Sequence, residues 1–245
     1  MIKNKFCIMP MMGDGIRFQR KGYNVPKPLI EVNKIPMFLK AARSFNRKSH
    51  WIFVIRKNFY NKNFTRLIKD NFKRSKIILL NRKTDGQART VFKAKKWLNK
   101  NSNIYVSSCD LYIEYNKQAL KSKLQSNDLI IFIHKPNKFN IQKANNFGWV
   151  KIKKNRIVKS ACKSKVSSNP KRDWIIIGSF VFKNKKVFDN LLKNLFMSKL
   201  KISNEFYLDS CIEIALKLNL KVSFLKVDKY ISWGTPTELS ENYFK

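Results

Sequence analysis

Short apolar runs alternate with longer amphipathic ones along the first half of the chain, and that alternation constrains the fold more than any other feature. "FCIMPMM", "WIFVI", "KIILL", "IYVSS" and "DLIIFIH" are strand-like by their nearly unbroken apolarity. Between them stand helical segments. "MFLKAARSF" is one. "NFTRLIKDNF" puts Leu67, Ile68 and Phe72 on one face, and "QARTVFKAKKWLN" does the same with Val91, Ala94 and Leu98. Strands buried on both faces and separated by helices predict a mostly parallel sheet, covered by helices on both sides.

The second half changes character. "GWVKIKKNRIVKSACK" alternates apolar and polar residues about a "KKN" turn, which predicts a hairpin. "DWIIIGSFVF" is a long strand with Gly178 inside it, where a bulge or a close backbone approach to a ligand is expected. "KKVFDNLLKNLF" and "FYLDSCIEIALKL" have helical periods, and "KVSFLKV" is a late strand. "TPTELSENYF" opens as a capped helix, with Thr235 as N-cap and Pro236 at the first turn. With no linker or repeat, the 245 residues predict a single α/β domain with a Rossmann-like, mostly parallel but mixed sheet and a small β-rich part. The nucleotide-binding half is expected over about residues 1–135 and the acceptor-binding half over about 136–245.

Charge raises the question of partners. Lys and Arg number 52 against 15 acids, a net of +37. The cations are spread along the chain rather than gathered in a tail, and the aromatics lie mostly in apolar runs. Nucleic acid is therefore not the expected partner. Small polyanions and a solvated lysine-rich surface both account for the charge. Cys7, Cys109, Cys162 and Cys211 make no C-x-x-C pair, and neither His50 nor His134 has zinc-ligand spacing. Free thiols, no signal-like start and no run of membrane-span length make a cytoplasmic location the expectation.

The chemistry is concentrated in "IMPMMGDGIRFQRKGYNVPKPLIEV". A G-x-G at the carboxyl end of a parallel strand offers bare amides where open α/β sheets bind ligands. Gly13 and Gly15 let the backbone approach a phosphate, and Arg17 and Lys27 can neutralise it, with Pro26 and Pro28 stiffening the segment that carries Lys27. Neither the dinucleotide fingerprint nor a P-loop ending is present.

These residues resemble the signature of the nucleotidyltransferases that activate sugar phosphates, the nucleoside-diphosphate-sugar pyrophosphorylases. Four further segments follow in that family's order: "DGQARTVFKAKKWL", "IYVSSCDLYIE", "ISNEFYLDSCIEIAL" and "WGTPTELSENYF". The short length and the "GYNVPKPL" form resemble compact members linked to capsule and other surface polysaccharide synthesis. The resemblance implies a GT-A-like fold and transfer of a nucleoside monophosphate from an NTP to a sugar phosphate or similar acceptor. Pyrophosphate leaves, Mg²⁺ is the cofactor, and a homo-oligomer is compatible with the family. An acceptor phosphate is already ionised near neutral pH, which suits a chain with two histidines.

The resemblance also implies roles. Arg17 and Lys27 are catalytic. Met11, Gly13, Gly15, Gly86, Gln87 and Asp110 bind nucleotide, and Asp110 binds the metal. Glu114 is a weaker metal candidate. Gly148, Lys163, Gly178 and Glu205 line the acceptor pocket. Taken alone, Glu205 reads as an acid at a helix start. Two departures stand out: Ile16 replaces the usual Ser or Thr before the arginine, and Ser232 replaces a second metal-binding aspartate. A nucleotide-sugar-dependent glycosyltransferase is the alternative, though it usually carries a D-x-D, and a nucleic-acid-binding protein is a more distant one.

Overall fold

A computed structural model describes residues 4–198 and 200–244, so the first three residues of the start read above as unlike a signal lie outside it. The strands are β1 (Lys5–Met11), β2 (Glu31–Val32), β3 (Ile35–Pro36), β4 (His50–Arg56), β5 (Ser75–Leu80), β6 (Asn103–Val106), β7 (Leu111–Glu114), β8 (Leu129–His134), β9 (Gly148–Lys153), β10 (Arg156–Ala161), β11 (Trp174–Phe182), β12 (Val222–Lys226) and β13 (Lys229–Ser232). The helices are α1 (Ile16–Gln19), α2 (Met37–Ala42), α3 (Lys62–Asn71), α4 (Gln87–Phe92), α5 (Lys117–Ser126), α6 (Lys138–Gln142), α7 (Lys185–Met197), α8 (Cys211–Lys217) and α9 (Pro236–Asn242).

The main sheet runs β10-β9-β11-β6-β1-β4-β5, with β8 pairing both β11 and β12. β1, β4, β5 and β6 are mutually parallel, as the alternation predicts, whereas β11 is antiparallel to β6, β8 and β9. Both faces are buried. In β1, Cys7, Met9 and Met11 join one core cluster, while Phe6 and Ile8 join the other. The strand needs apolar residues at every position because it has no solvent face. The aromatics go inward: Trp51, Phe53 and Phe72 pack together on one side, and Phe182 meets Phe188 edge-on at 5.2 Å on the other.

One sequence expectation needs correction. The helix read as "QARTVFKAKKWLN" is α-helical only to Phe92 and continues as a 3-10 turn over Lys93–Trp97; its apolar face still holds, since Val91, Ala94 and Leu98 are buried. The segment after "IYVSS" is a separate strand, β7, which leaves the main sheet to pair with β13.

β11 shapes the cleft. Its first residues pair with β9 and its last with β6, and its register on β8 shifts between Ile176 and Phe180. Gly178, at φ 71°, sits in that break. The predicted bulge is therefore real, and it opens the sheet between the carboxyl end of β6 and the start of β9.

Candidate active site

A cleft of about 500 Å³ lies over the tips of β1 and β6 and the break in β11. It collects residues from every segment that the sequence marked as chemical. Met11, Gly13, Arg17, Lys27, Gly86, Gln87, Asp110, Gly148, Lys163, Gly178 and Glu205 all line it.

The loop after β1 turns at Gly15, which adopts a left-handed conformation (φ 68°) and caps α1 without a side chain. A Cβ there would stand 3.2 Å from Lys27 Cβ, so the glycine brings the lysine segment close. Nothing lies within 4 Å of a Cβ built on Gly13, which leaves the loop backbone open. An acid in this loop would repel a phosphate, but Asp14 is drawn aside. Its carboxylate pairs with Arg56 and lies 3.4 Å from Lys83 Nζ. Lys83 in turn reaches Glu205 at 3.0 Å. Neither Arg56 nor Lys83 was singled out from sequence. Their signal was position alone, at or just beyond the carboxyl ends of parallel strands.

Asp110 follows β6 at the cleft floor. Lys27 Nζ donates to its Oδ2 at 2.5 Å and to Gly234 O at 3.0 Å, while the Ser108 hydroxyl donates to Oδ1. Burial alone would push the Asp110 carboxyl up. The Lys27 charge and the hydrogen bonds from Lys27 and Ser108 outweigh it and hold the pKa below the usual value. Burial likewise works against the Lys27 cation, and the charge of Asp110 overcomes it, holding the ammonium above its ordinary range. Lys27 is thus tied to the aspartate rather than reaching freely toward a triphosphate.

A second carboxylate stands beside this pair. Glu238, on the first turn of α9, is buried and accepts from the Thr235 hydroxyl at 2.9 Å. Burial raises its pKa; hydrogen bonds from Ser232 and Thr235 oppose that, and the Asp110 charge adds to it. Around the point where a Cβ would stand on Gly234 lie Glu238 Oε2 at 3.3 Å, Ser232 Oγ at 3.4 Å and Asp110 Oδ2 at 3.6 Å. Only a glycine leaves that oxygen-lined space free. Thr235 caps α9 as the sequence predicts. Glu238 was hidden in the sequence because an acid three residues after a capping threonine is ordinary helix-start writing. Among the described residues no cluster of three or more His, Cys, Asp or Glu is disposed to hold a metal.

Gly86 joins the two sides of the cleft. At φ 110°, its absent Cβ would fall 2.4 Å from both the N and the O of Phe206. The close approach carries two backbone bonds, Phe206 N to Asp85 O at 2.8 Å and Ala88 N to Phe206 O at 3.0 Å. Gln87 begins α4 just beyond.

Elsewhere along the cleft, Lys163 holds a left-handed backbone (φ 55°) that lysine seldom adopts. Its Nζ donates to Asn146 O at 2.5 Å and lies 4.9 Å from the centre of the Tyr207 ring. Arg17 donates to the Asn146 side chain at 3.1 Å, so the two cations flank one residue. Two expectations change. Glu205 starts no helix: it lies in a turn, bridged to Ile202, well before α8. It is held by Lys83 and by the Tyr207 hydroxyl at 2.9 Å. Glu114 sits at the far end of β7, exposed beside Tyr112 and Lys229, and does not line the cleft. Asp209, unmarked by the sequence, does line it.

An open α/β sheet that gathers glycine amides, lysines and a strand-end carboxylate in one crevice is the setting for phosphorylated ligands. The chain belongs to the nucleotidyl transferase family, whose sequence model matches residues 12–241. It is a nucleotidyltransferase. No curated protein sequence matches it significantly. Solved structures share its fold across nearly the whole chain. The nucleoside-diphosphate-sugar pyrophosphorylase of Vibrio cholerae RC9 superposes with TM-score 0.79 at 19% identity, covering 98% of this chain and 100% of its own. The UTP-bound UGPase of Acinetobacter baumannii gives TM-score 0.73 at 15% identity, with 98% and 92% covered. The inositol-1-phosphate CTP transferase of T. maritima gives 0.70 at 15%, with 98% and 94% covered. Among the described residues no helix is long and apolar enough to cross a membrane.

Proposed function

We propose that the enzyme transfers a nucleoside monophosphate from an NTP to a sugar phosphate, or to a similarly phosphorylated small molecule, and releases pyrophosphate. The observation that carries this reading is the convergence of the β1 loop, Lys27, Asp110 and Lys163 on one cleft. The solved relatives are named for such reactions, with a sugar pyrophosphorylase and an inositol-1-phosphate transferase among them.

In this reading the triphosphate lies along the Gly13–Gly15 amides, beside Arg17. The acceptor phosphate is held at Lys163. An acceptor phosphate oxygen forms a bond to the α-phosphorus while the bond from that phosphorus to the bridging oxygen breaks, and the electron pair leaves with pyrophosphate. The protein positions the reactants and neutralises charge, and no general base is required. Asp110 and Glu238 fit a hard divalent cation, since Mg²⁺ takes one or two carboxylates and completes its shell with phosphate oxygens and water. Such an ion would supply charge neutralisation at the phosphates. Glu238 then stands where Ser232 supplies no carboxylate. Four free cysteines suit a reducing, cytoplasmic setting, and the compact form suits supply of activated sugar for surface polysaccharide.

The test is pyrophosphate release by purified protein with Mg²⁺, each of CTP, UTP, dTTP and GTP being tried against a panel of phosphorylated acceptors. Release should require both nucleotide and acceptor. Asp110→Ala should abolish it while the circular dichroism stays native. Full activity in that variant would move the metal site elsewhere.

A further inference from the structure

Asp209 is a carboxylate whose position in the cleft has no structural explanation. It lies in a 3-10 turn (Leu208–Ser210) leading into α8 and faces the cleft beside Lys163 and Tyr207. Its Oδ2 is 2.3 Å from the point where a Cβ would stand on Gly148, so the first residue of β9 is a glycine that makes room for it. Glu205, the acceptor carboxylate implied by the sequence, is already engaged by Lys83 and Tyr207. No comparable partner serves Asp209. Among the described residues none hydrogen-bonds its side chain or lies within ion-pair distance, and Lys163 acts on it only through its charge. Asp209 is only partly exposed, and a carboxylate withdrawn from much of the solvent without protein donors is costly unless a ligand brings them.

We propose that Asp209 selects the acceptor: its carboxylate accepts hydrogen bonds from neighbouring hydroxyls of a polyhydroxylated phosphate ester whose phosphate rests at Lys163. The inference rests on the reading of this cleft as a nucleotidyl-transfer site. Hydroxyl donors fit better than an ammonium. Lys163 already stands over Tyr207 and acts on Asp209, so a second cation at that place would meet like charge. The neighbouring aliphatic wall, Ile176, lies 2.9 Å from the same Gly148 position and suits the face of a ring or a carbon chain.

Binding of acceptors to the full chain, followed by calorimetry without nucleotide, tests this. Probes are glucose 1-phosphate, inositol 1-phosphate, ribitol 5-phosphate, phosphoethanolamine and inorganic phosphate. At least one polyhydroxylated ester should bind the wild type about tenfold or more tighter than inorganic phosphate or phosphoethanolamine. Asp209→Ala should erase that advantage without weakening inorganic phosphate binding, while Lys163→Ala should weaken every probe. Asp209→Asn, nearly isosteric, guards against misfolding and should retain part of the advantage. In turnover, Asp209→Ala should raise the acceptor KM by a larger factor than it changes the nucleotide KM. The assignment is overturned if no polyhydroxylated ester outbinds inorganic phosphate, if phosphoethanolamine binds best, or if Asp209→Ala binds the preferred ester like the wild type. Pyrophosphate release in the same samples separates the two claims. Release with an aminoalkyl phosphate alone would uphold the transferase reading and sink this one. Hydroxyl-selective, Asp209-dependent binding with no release from any NTP would do the reverse.

Discussion

Lys27 Nζ and Asp110 Oδ2, 83 residues apart in sequence, meet at 2.5 Å on the floor of the cleft. The contact ties the segment after β1 to the end of β6, and both partners are largely shielded from water, at 17% and 22% side-chain exposure. Removing one partner strands the other's charge. Lys27→Met should therefore cost about 3 kcal/mol in denaturant unfolding, at the lower end for broken buried pairs. Lys27→Met/Asp110→Asn should cost less than the sum of the singles. The pair holds Asp110 below its usual pKa and Lys27 above its own. Its stabilisation is thus complete at neutral pH. It fades as pH falls through the lowered Asp110 value, below 3.8, or rises through the raised Lys27 value, above 10.5. A gap between wild type and Lys27→Met that stays constant from pH 7 to pH 3 would contradict the coupling.

Gly86 offers a backbone test. An alanine there would place its Cβ 2.4 Å from the Phe206 backbone, and φ 110° is a conformation that L side chains rarely adopt. Strain of about 1–3 kcal/mol is the least expected, with the lost Phe206 bonds added. Gly86→Ala should lower the melting temperature and raise both nucleotide and acceptor KM, because the bonds join the two sides of the cleft. A change in nucleotide KM alone would show that Phe206 does not transmit the effect.

Lys83 pairs with two acids at the cleft, Asp14 at 3.4 Å and Glu205 at 3.0 Å, which in the proposed reading would otherwise repel the triphosphate. Lys83→Met should raise the NTP KM by about tenfold, an effect of about 1.4 kcal/mol. Asp14→Asn in the same background should restore part of the loss. An unchanged KM in Lys83→Met would make Arg56 sufficient on its own.

The parallel sheet and the glycine turn after β1 were legible because both are written locally. Unbroken apolar runs in β1 and β4 and the closely spaced Gly13 and Gly15 carry their meaning within a few residues. Long-range partners were not legible. Nothing near Asp14 in sequence says that Arg56 and Lys83 will neutralise it, and nothing near Gly148 says that Asp209 will fill its side-chain space. Glu205 was misplaced for the same reason: an acid before a helical period reads as a helix start, while its turn is set by the bridge from Ile202 to Glu205 and by Lys83. Gly178 lay between these cases. A glycine inside an apolar strand announces a bulge, but only the pairing of β11 shows that the bulge opens the cleft.

Asp209 gives the remaining prediction. Burial pushes its carboxyl from 3.8 up to about 6, with the Lys163 charge opposing. The folded protein therefore holds this proton more tightly than the unfolded chain does. Stability from this group is present at low pH and is lost as pH rises from about 4 to about 6. Its charged neighbour is Lys163, while Cys162, Cys211 and Tyr207 stay protonated through that window because burial raises each of them. Asp209→Asn removes the ionisation. At pH 7.5 the variant should be more stable than the ligand-free wild type, with about 3 kcal/mol, the free-energy equivalent of that shift, as the ceiling. For a chain of this size that ceiling is a gain of roughly 6–12 °C in melting temperature. At pH 4 the two proteins should melt together. A stabilised variant with weakened acceptor selectivity would mark Asp209 as a residue kept for binding at the expense of the fold. Equal melting temperatures at pH 7.5 would show that the carboxylate is well solvated in the open cleft.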